Sequence, residues 1–481
     1  MLDVSRLTII EAAGAFRAGR ISPLDLTRAY LERVERLDRA LNSYVTVTAE
    51  AALAAARQAT DELAAGHDRG PLHGIPLAYK DLFATAGIRT TAGARILADR
   101  VPTRDATVVR RLAEAGAIML GKLNMLEFAY GVIHPDFGPA RNPWNLDHSA
   151  GGSSSGSAVA TAAGLCLGAL GTDTGGSIRQ PAAWCGIVGH KPTYGLVSRA
   201  GVDPLSWTLD HVGPMTRTVD DAAVVLEAIA GYDPEDPGSA PGAAFRAADL
   251  DTVHPGRLRV GVPRELLDRG IDREVRGIVE AAIQRLGGLG MALEEVEIPG
   301  LDDMLAAEMV IISAEATAFH LPWMRTRAED YAPLTRDRLE AGAAIPAVHY
   351  LEAQRVRREL IDAMARLHER VDLLVTPATP IAAPDMGGGI DDVDGKPVID
   401  DPDGDEPADR LRGAIRCTGP FNVTGAPAIT VPCGWTTDRL PIGLQFTGRP
   451  FEDHVVLAAA RAFEAIHGAA LDLPTSAPPL S

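Results

Sequence analysis

The sequence predicts an α/β protein whose sheet is covered by helices on both faces. Short apolar runs, such as residues 74–79 and 117–120, alternate with helical stretches such as residues 107–115. Strands alternate with helices in this way in layered α/β folds. The composition, with 46% hydrophobic and 23% charged residues, is that of an ordinary globular chain. A chain of 481 residues is long enough to bury a large core.

Residues 1–70 are predicted to form a helical segment that packs on the core, and residues 71–481 to form the main domain. Ser22 can cap a helix, Pro23 fits its first turn and Asp25 completes a capping box. A second, alanine-rich helix is expected over residues 51–65. The segment and the domain are predicted to be one structural unit.

Further elements are expected along the rest of the chain. The apolar run at residues 158–170, rich in Ala and Gly, suits a buried helix. Residues 257–263 and 372–376 are typical of buried strands, and helices are predicted over residues 273–286 and 345–371.

An acidic, glycine-rich segment spans residues 385–409 and holds ten acidic residues with a single Lys396. A calcium loop of the EF-hand type would need acidic residues at alternating positions before its glycine, and this segment lacks them. We expect a solvated surface loop, with a mobile lid over the site as the rival interpretation.

The formal net charge of −18 disfavours binding to nucleic acid or to anionic membrane surfaces. Four widely spaced cysteines, Cys166, Cys185, Cys417 and Cys433, favour neither a zinc site nor a disulfide framework. The N-terminus does not resemble a secretory signal, and no window of 18 apolar residues is free of charge. A cytoplasmic location is therefore predicted.

Two catalytic motifs are matched only in part. Residues 116–123 resemble a phosphate-binding loop, but Leu123 stands where a magnesium-binding Ser or Thr is required. Residues 152–156 fit the G-x-S-x-G pattern of a nucleophile elbow centred on Ser154, but no apolar strand precedes them. Both interpretations are rejected.

Two serine–glycine clusters and one lysine remain as candidates for chemistry. The clusters are residues 151–157 and 171–177, and Lys80 ends the apolar run 74–79. Consecutive glycines allow backbone N–H groups to approach an oxyanion, and burial lowers the pKa of a lysine toward the neutral form that acts as a base. From the residues alone, a catalytic site and a tight structural turn both stay open.

These motifs strongly resemble the amidase-signature family, and the match covers nearly the whole chain. Ser153 and Ser177 stand 24 residues apart, as the family requires. The matching segments are GGSSSGS (151–157), GTDTGGSIRQP (171–181), KPTYG (191–195), GKLNMLE (121–127), DHVGPM (210–215) and LPIGLQFTG (440–448). The resemblance implies one large α/β domain with a mixed central β-sheet flanked by helices, and residues 71–481 as the catalytic domain.

The resemblance also implies a role for each matching residue. Ser177 is expected to be the acyl-forming nucleophile, Ser153 the proton-relaying serine in a cis peptide, and Lys80 the general base. Three positions match the backbone oxyanion hole, helped by the amide of Ser177: Thr174, Gly175 and Gly176. Supporting positions are Asp173, Arg179 and Ser154. Neither a metal nor a cofactor is expected.

The family implies a serine hydrolase that cleaves C–N bonds other than peptide bonds, with aryl or acyl amides, carbamates and esters as candidate substrates. One alternative is the A subunit of a tRNA-dependent glutaminyl or asparaginyl amidotransferase. That subunit usually carries an Asp just before the motif matched here by residues 418–427, whereas this chain has Ile415 and Arg416. The departure favours a hydrolase that acts without partner subunits. A catalytically silent binding protein of the same fold is the third alternative.

The predicted partner is a small amide-type substrate, and a homodimer is a further candidate because relatives form one. Apolar and aromatic residues suggest an apolar acyl or leaving group, although such residues more often fill a core. The candidate pocket residues are Met125, His134, Phe137, Met304, Phe319 and Trp323, with Met309 and Met324 on the same stretch of chain.

Overall fold

One mixed β-sheet organises the computed structural model of this protein, which describes residues 4, 6–130, 132–386 and 415–467. Eleven strands lie within those residues, in the spatial order β1-β3-β2-β4-β6-β5-β10-β11-β9-β7-β8. The strands are β1 Tyr44–Val47, β2 Pro76–Lys80, β3 Ile118–Leu123, β4 Gly168–Asp173, β5 Val188–Lys191, β6 His211–Thr216, β7 Arg259–Pro263, β8 Ala292–Val296, β9 Leu373–Pro377, β10 Ala428–Trp435 and β11 Pro441–Gly448.

Parallel pairs lie toward both edges of the sheet and antiparallel pairs lie in its middle. Strand β2 pairs in parallel with β3 and β4, and β7 pairs in parallel with β8 and β9. The pairs β4–β6, β6–β5, β5–β10, β10–β11 and β11–β9 are antiparallel, as is the edge pair β1–β3. The predicted mixed sheet is confirmed.

Helices flank this sheet, and most of the connections between parallel strands are helical, as crossovers require. They are α1 Ile9–Arg17, α2 Pro23–Leu41, α3 Ala49–Ala64, α4 Thr107–Glu114, α5 Ser155–Ala162, α6 Arg179–Cys185, α7 Val219–Ile229, α8 Glu265–Asp268, α9 Arg273–Gly288, α10 Leu301–Arg327, α11 Pro333–Ala343 and α12 Ala347–Arg370, followed by the helices Pro420–Val423 and Asp453–His467. The predicted helices over 273–286 and 345–371 and the strands over 257–263 and 372–376 are therefore present.

The N-terminal segment packs on the sheet through α2. The predicted capping box is formed, since the Asp25 amide donates to Ser22 Oγ over 3.1 Å and the Asp25 carboxylate accepts from the Ser22 amide. Tyr30 is fully buried in the same hydrophobic core as Leu77 of β2. The segment is not wholly helical, because the β-branched stretch at Tyr44–Val47 adds strand β1 to the edge of the sheet.

The prediction of one buried helix over residues 158–170 is wrong. Helix α5 ends at Ala162, Gly164 adopts a left-handed φ of 65°, and the chain then enters β4 at Gly168. Helix and strand are both fully buried, so neither shows an alternating pattern that would separate them in the sequence.

The acidic segment predicted as a surface loop lies almost entirely outside the described residues, which omit 387–414. One helix within the described part, Leu301–Asp330, is long and apolar enough to cross a membrane by length and composition. Because 56% of its apolar window is buried inside the protein, it has the character of a core helix.

Candidate active site

A cavity of about 100 Å³ opens where the carboxyl ends of β2 and β4 meet the amino ends of α5 and α6. Long helix α10 and the chain around residue 415 close it from the other side. The lining residues are Leu126, Ala129, Tyr130, Gly152, Ser153, Thr174, Gly175, Gly176, Ser177, Gln180, Leu205, Met309, Ile312, Arg338, Ile415 and Thr418.

Lys80 is the last residue of β2, which is buried along its whole length. Its Nζ lies 2.6 Å from Ser153 Oγ and 2.8 Å from Thr172 Oγ1. Burial lowers the pKa of Lys80 to about 7, against the opposing effect of the carboxylates of Asp210 and Asp173. A large fraction of this lysine is therefore neutral at physiological pH, in the form that can accept a proton.

Ser153 and Ser154 lie at the turn that leads into α5. The Gly152–Ser153 peptide is cis, as the family resemblance implies. Ser154 points away from Lys80: its hydroxyl donates to the Thr172 carbonyl over 3.1 Å, and its amide donates to the Ser177 carbonyl over 3.2 Å. Ser154 therefore connects the two serine–glycine clusters through its hydrogen bonds to Thr172 and Ser177.

Ser177 lies on the loop that joins β4 to α6. It is the only residue between Gly168 and Cys185 that is not fully buried, and it lines the cavity together with Ser153. Ser177 is therefore the residue of this stretch that a molecule in the cavity can reach most easily.

The amides predicted for the oxyanion hole differ in their hydrogen bonding. The amides of Thr174, Gly175 and Ser177 donate to no acceptor among the described residues, and all three residues line the cavity. Gly176 differs from its predicted role, because its amide already donates to Asp173 Oδ1 over 2.9 Å. Its contribution is conformational: it has a φ of 134°, and a Cβ there would lie 2.4 Å from Thr418 Oγ1.

Asp173 and Arg179 form a fully buried ion pair that brackets the loop that carries Ser177. Arg179 Nη2 lies 2.8 Å from Asp173 Oδ1 and Nε lies 3.0 Å from Oδ2. Burial by itself would raise the pKa of Asp173, but the adjoining Arg179 guanidinium holds it well below its usual range. The Asp173 carboxylate also accepts from the amides of Gly176 and Ile178, so it fixes both ends of the turn.

Arg179 connects this turn to the C-terminal part of the chain. Its Nη1 donates to the Thr418 carbonyl and to Gln445 Oε1, each over 2.8 Å, and its Nη2 donates to Asn422 Oδ1. The Thr418 hydroxyl returns a bond of 2.6 Å to the Gly175 carbonyl. These bonds attach the loop between β4 and α6 to a segment about 240 residues away in sequence.

The cavity wall is mainly apolar. Arg338 on α11 is the only charged side chain among the described lining residues, and its Nη1 donates to the Tyr130 carbonyl over 2.6 Å. Ile415, one of the two residues that stand where the amidotransferase subunit usually carries Asp, lies in the wall. No carboxylate therefore faces the cavity from these residues.

A buried carboxyl lies just behind the wall. Glu308 on α10 has no hydrogen-bond partner in the described part of the chain, and burial raises its pKa well above the usual range. It occupies space left by two glycines, since a Cβ on Gly175 would lie 3.0 Å from Oε1 and one on Gly419 would lie 2.0 Å from Oε2. The acid is therefore neutral and adds no charge to the site.

The six residues predicted for the substrate pocket are not among those that line the cavity. Met304 packs in a separate hydrophobic cluster, and Met309 lines the wall instead, because side chains five residues apart on an α-helix point in directions about 140° apart. Phe319 and Trp323 pack against each other with ring centroids 5.6 Å apart, two turns beyond the cavity-lining Ile312.

The remaining three belong to the surrounding framework. Met125 is buried beside Gly93. His134 accepts from the Asp136 amide through Nδ1 and packs edge-on against Phe137. These three residues lie near the matched motifs in sequence, but their side chains do not line the cavity.

Several residues of the site were missed from the sequence. Thr172 does not line the cavity but binds Lys80; it lies inside a matched motif and could have been found there. Leu205 and Arg338 lie in no recognised motif, and no local pattern marks them. No group of three or more His, Cys, Asp or Glu in the described ranges could hold a metal ion.

Replacing Arg179 by Lys should destabilise the protein by about 3 kcal/mol, because Lys keeps the charge but cannot satisfy Asp173, Asn422 and Gln445 together. Urea unfolding measures the change. The matched control is Arg95→Lys, whose exposed pair with Asp136 should contribute little. Equal losses in the two variants would contradict a special role for the buried pair.

Known proteins share these motifs along nearly the whole chain. The sequence model of the Amidase family matches residues 25–457. The chain is 42% identical over 490 residues to the A subunit of the glutamyl-tRNA(Gln) amidotransferase of Moorella thermoacetica, covering 96% of this chain and 97% of that one.

Solved structures agree with this relationship. A chain from a vestigial complex, described as revealing the evolutionary origins of an s-triazine catabolic enzyme, superposes with a TM-score of 0.88 at 35% identity, covering 96% of this chain and 99% of that one. The peptide amidase of Stenotrophomonas maltophilia superposes with a TM-score of 0.82 at 33% identity, covering 96% of both. The motifs, the fold and these matches agree, and the chain belongs to the amidase-signature family.

Proposed function

We propose that this protein hydrolyses the C–N bond of small amide-type substrates through an acyl-enzyme on Ser177. The observation that carries the proposal is the contact of 2.6 Å between Lys80 Nζ and Ser153 Oγ at a cavity that Ser177 also lines. The lowered pKa of Lys80, about 7, supports its role as the base.

In the acylation step, Ser177 Oγ attacks the substrate carbonyl carbon. Its proton passes to Ser153 Oγ while the Ser153 hydroxyl proton passes to neutral Lys80, and the carbonyl oxygen becomes an oxyanion. The amides of Thr174, Gly175 and Ser177 are the groups available to stabilise that charge. The C–N bond then breaks, and the proton returns through Ser153 to the leaving amine.

Deacylation follows the same route with water as the nucleophile. A water proton passes through Ser153 to Lys80 as the oxygen attacks the ester carbonyl. The proton then returns to Ser177 Oγ as the carboxylic acid leaves, which restores the resting state. The three side chains therefore complete the cycle without a net gain or loss of protons on the enzyme, apart from ionisation of the acid product.

The cavity favours an acyl group that is apolar, or that carries an anion, over a free amino acid. Met309, Ile312 and Ile415 offer hydrocarbon surface, and Arg338 offers a cation. The ammonium group of free glutamine would meet no carboxylate among the described lining residues. Burying an unpaired ammonium group is costly. The lack of a carboxylate among the described lining residues therefore supports a hydrolase that does not use glutamine.

A second function is favoured by the curated relatives, several of which are named as amidotransferase A subunits at about 40% identity. In that role the protein would release ammonia from glutamine or asparagine within a complex that serves a tRNA. The acyl-enzyme chemistry would be the same, and the difference lies in substrate and partners. The expectation that nucleic acid is not a partner holds for the hydrolase and fails for the amidotransferase subunit, which would work with a tRNA.

The nucleophile can be tested without knowing the natural substrate. Intact-mass analysis should show one fluorophosphonate adduct on the wild type and none on Ser177→Ala, whereas Ser155→Ala, a neighbouring buried serine, should still be labelled. A panel of aryl amides, aryl esters, carbamates and primary amides should lose turnover by on the order of 1,000-fold or more in Ser177→Ala. A wild type that fails to label would favour the silent binding protein.

The pH dependence tests the base. Protonated Lys80 cannot accept a proton, so kcat/KM should fall about tenfold per pH unit below the Lys80 pKa of about 7 and level off above it. Lys80→Met should abolish turnover at every pH while remaining folded. A flat profile through this range, in enzyme that circular dichroism shows to be intact, would rule out Lys80 as the base.

The choice between the two functions can be tested at Ile415. The wild-type chain alone should hydrolyse apolar amides and leave glutamine untouched, and Ile415→Asp should gain glutamine hydrolysis because it supplies a partner for the ammonium group. Ile415→Asn is the uncharged control of similar size to Asp. Glutamine hydrolysis by the wild type only with added partner subunits and tRNA would instead support the amidotransferase.

A further inference from the structure

Asp210 lies at the edge of the candidate site because of the register between β4 and β6. Asp173 at the end of β4 pairs with His211 at the start of β6 in the antiparallel ladder. The next pair beyond the ladder is therefore Thr174 and Asp210. Thr174 Oγ1 donates to Asp210 Oδ1 over 2.6 Å, and both residues are buried.

The same carboxylate also holds a second part of the cavity wall. The Leu205 amide donates to Asp210 Oδ2 over 2.9 Å, and the Ser206 amide lies 3.1 Å from both carboxylate oxygens. The Ser206 hydroxyl continues the network by donating to Glu315 on α10 over 2.6 Å. Asp210 thus joins two residues that line the cavity, Thr174 and Leu205.

Asp210 is also the less compensated of the two acids that act on Lys80. Asp173 is neutralised by its direct ion pair with Arg179, and buried Lys191 also acts on it. The cation that acts on Asp210 is Arg199, which is itself bound to Asp236 over 2.8 Å.

Asp210 carries a negative charge at neutral pH. Burial raises the pKa of Asp210 to about 6, against the lowering effect of the donors Thr174, Ser206 and Leu205. The carboxylate is therefore mainly ionised at neutral pH. Asp210 also lies close to Lys80, because Lys80 Nζ contacts Thr172 Oγ1 over 2.8 Å and Thr174, two residues further along the chain, donates to Asp210 over 2.6 Å. Its carboxylate therefore favours the protonated lysine, and among the charged groups that act on Lys80 it has the largest effect.

We propose that Asp210 is a positioning residue of this site: it holds Thr174 and Leu205 in place and, through its charge, sets the pH range in which Lys80 can act as a base. The inference rests on the proposed function of Lys80 and Ser177. Asp210 begins the matching segment 210–215, but the family resemblance assigned no role to it.

The test compares Asp210→Asn with Thr174→Val. Asn removes the charge but keeps a carbonyl oxygen for the amides of Leu205 and Ser206 and an NH₂ group that can donate to the Thr174 hydroxyl. Val at position 174 removes the hydroxyl and leaves the Asp210 charge in place. The readout is the rate of Ser177 phosphonylation by a fluorophosphonate against pH, which requires no knowledge of the substrate.

Asp210→Asn should move the midpoint of the acid limb to lower pH by about one unit, because Lys80 loses a nearby negative charge. Thr174→Val should lower the plateau rate by on the order of 10-fold and leave the midpoint where it is. A purely structural role for Asp210 would lower the rate without moving the midpoint.

The inference is overturned if the wild type is labelled with an acid limb and Asp210→Asn keeps the same midpoint. The proposal that Asp210 positions Thr174 is overturned if Thr174→Val is labelled as fast as the wild type. This second comparison can be made even if Asp210→Asn does not fold. A wild type that forms no adduct overturns the proposed function, and this inference with it.

Discussion

The buried pair of Asp173 and Arg179 is the interaction on which the rest of the site depends. Strand β4 ends at Asp173 and α6 begins at Arg179, so the pair closes the base of the loop that carries Ser177. A buried ion pair is retained only where its remaining donors and acceptors are also satisfied. Here the amides of Gly176 and Ile178 satisfy the acid, and Thr418, Asn422 and Gln445 satisfy the guanidinium.

The same network explains how the loop that carries Ser177 can contain two consecutive glycines, Gly175 and Gly176, and still be held in one conformation. Glycine has the highest conformational entropy of any residue in the unfolded chain, so an ordered glycine loop needs compensating contacts. Gly176 is fixed by its bond to Asp173, and the Gly175 carbonyl accepts from the Thr418 hydroxyl. Amides that donate to no protein acceptor are left on the side of the loop that faces the cavity, where a substrate oxygen can use them.

Burial and ion pairing together determine the charge of three buried groups near the cavity, Lys80, Asp173 and Glu308. Lys80 has no direct ion pair with any of the described residues, so burial shifts its pKa toward neutrality. Asp173 has a cation in contact and stays ionised, whereas Glu308, with no hydrogen-bond partner in the described residues, is held in the neutral form. Three groups of ordinary acidity or basicity are thus brought to different states by packing alone.

The sequence by itself determined an α/β fold with helices on both faces of a sheet, and its resemblance to the amidase-signature family implied the mixed sheet and the grouping of Lys80 with Ser153 and Ser177. These features depend on short windows: glycines that only a tight turn requires, a capping box at Ser22, and an apolar strand that ends in lysine. The turn from α5 into β4 was missed, because a continuously apolar run suits a buried helix and a buried strand equally.

Only the tertiary structure decided the composition of the cavity wall. Met309 rather than Met304 faces the cavity because of the rotation of α10 against its neighbours, which depends on contacts far away in sequence. The approach of Asp210 to Thr174 depends on strand register, and a shift of one residue would place them on opposite faces of the sheet. Contacts of this kind arise when distant elements pack together, and no local pattern in the chain records them.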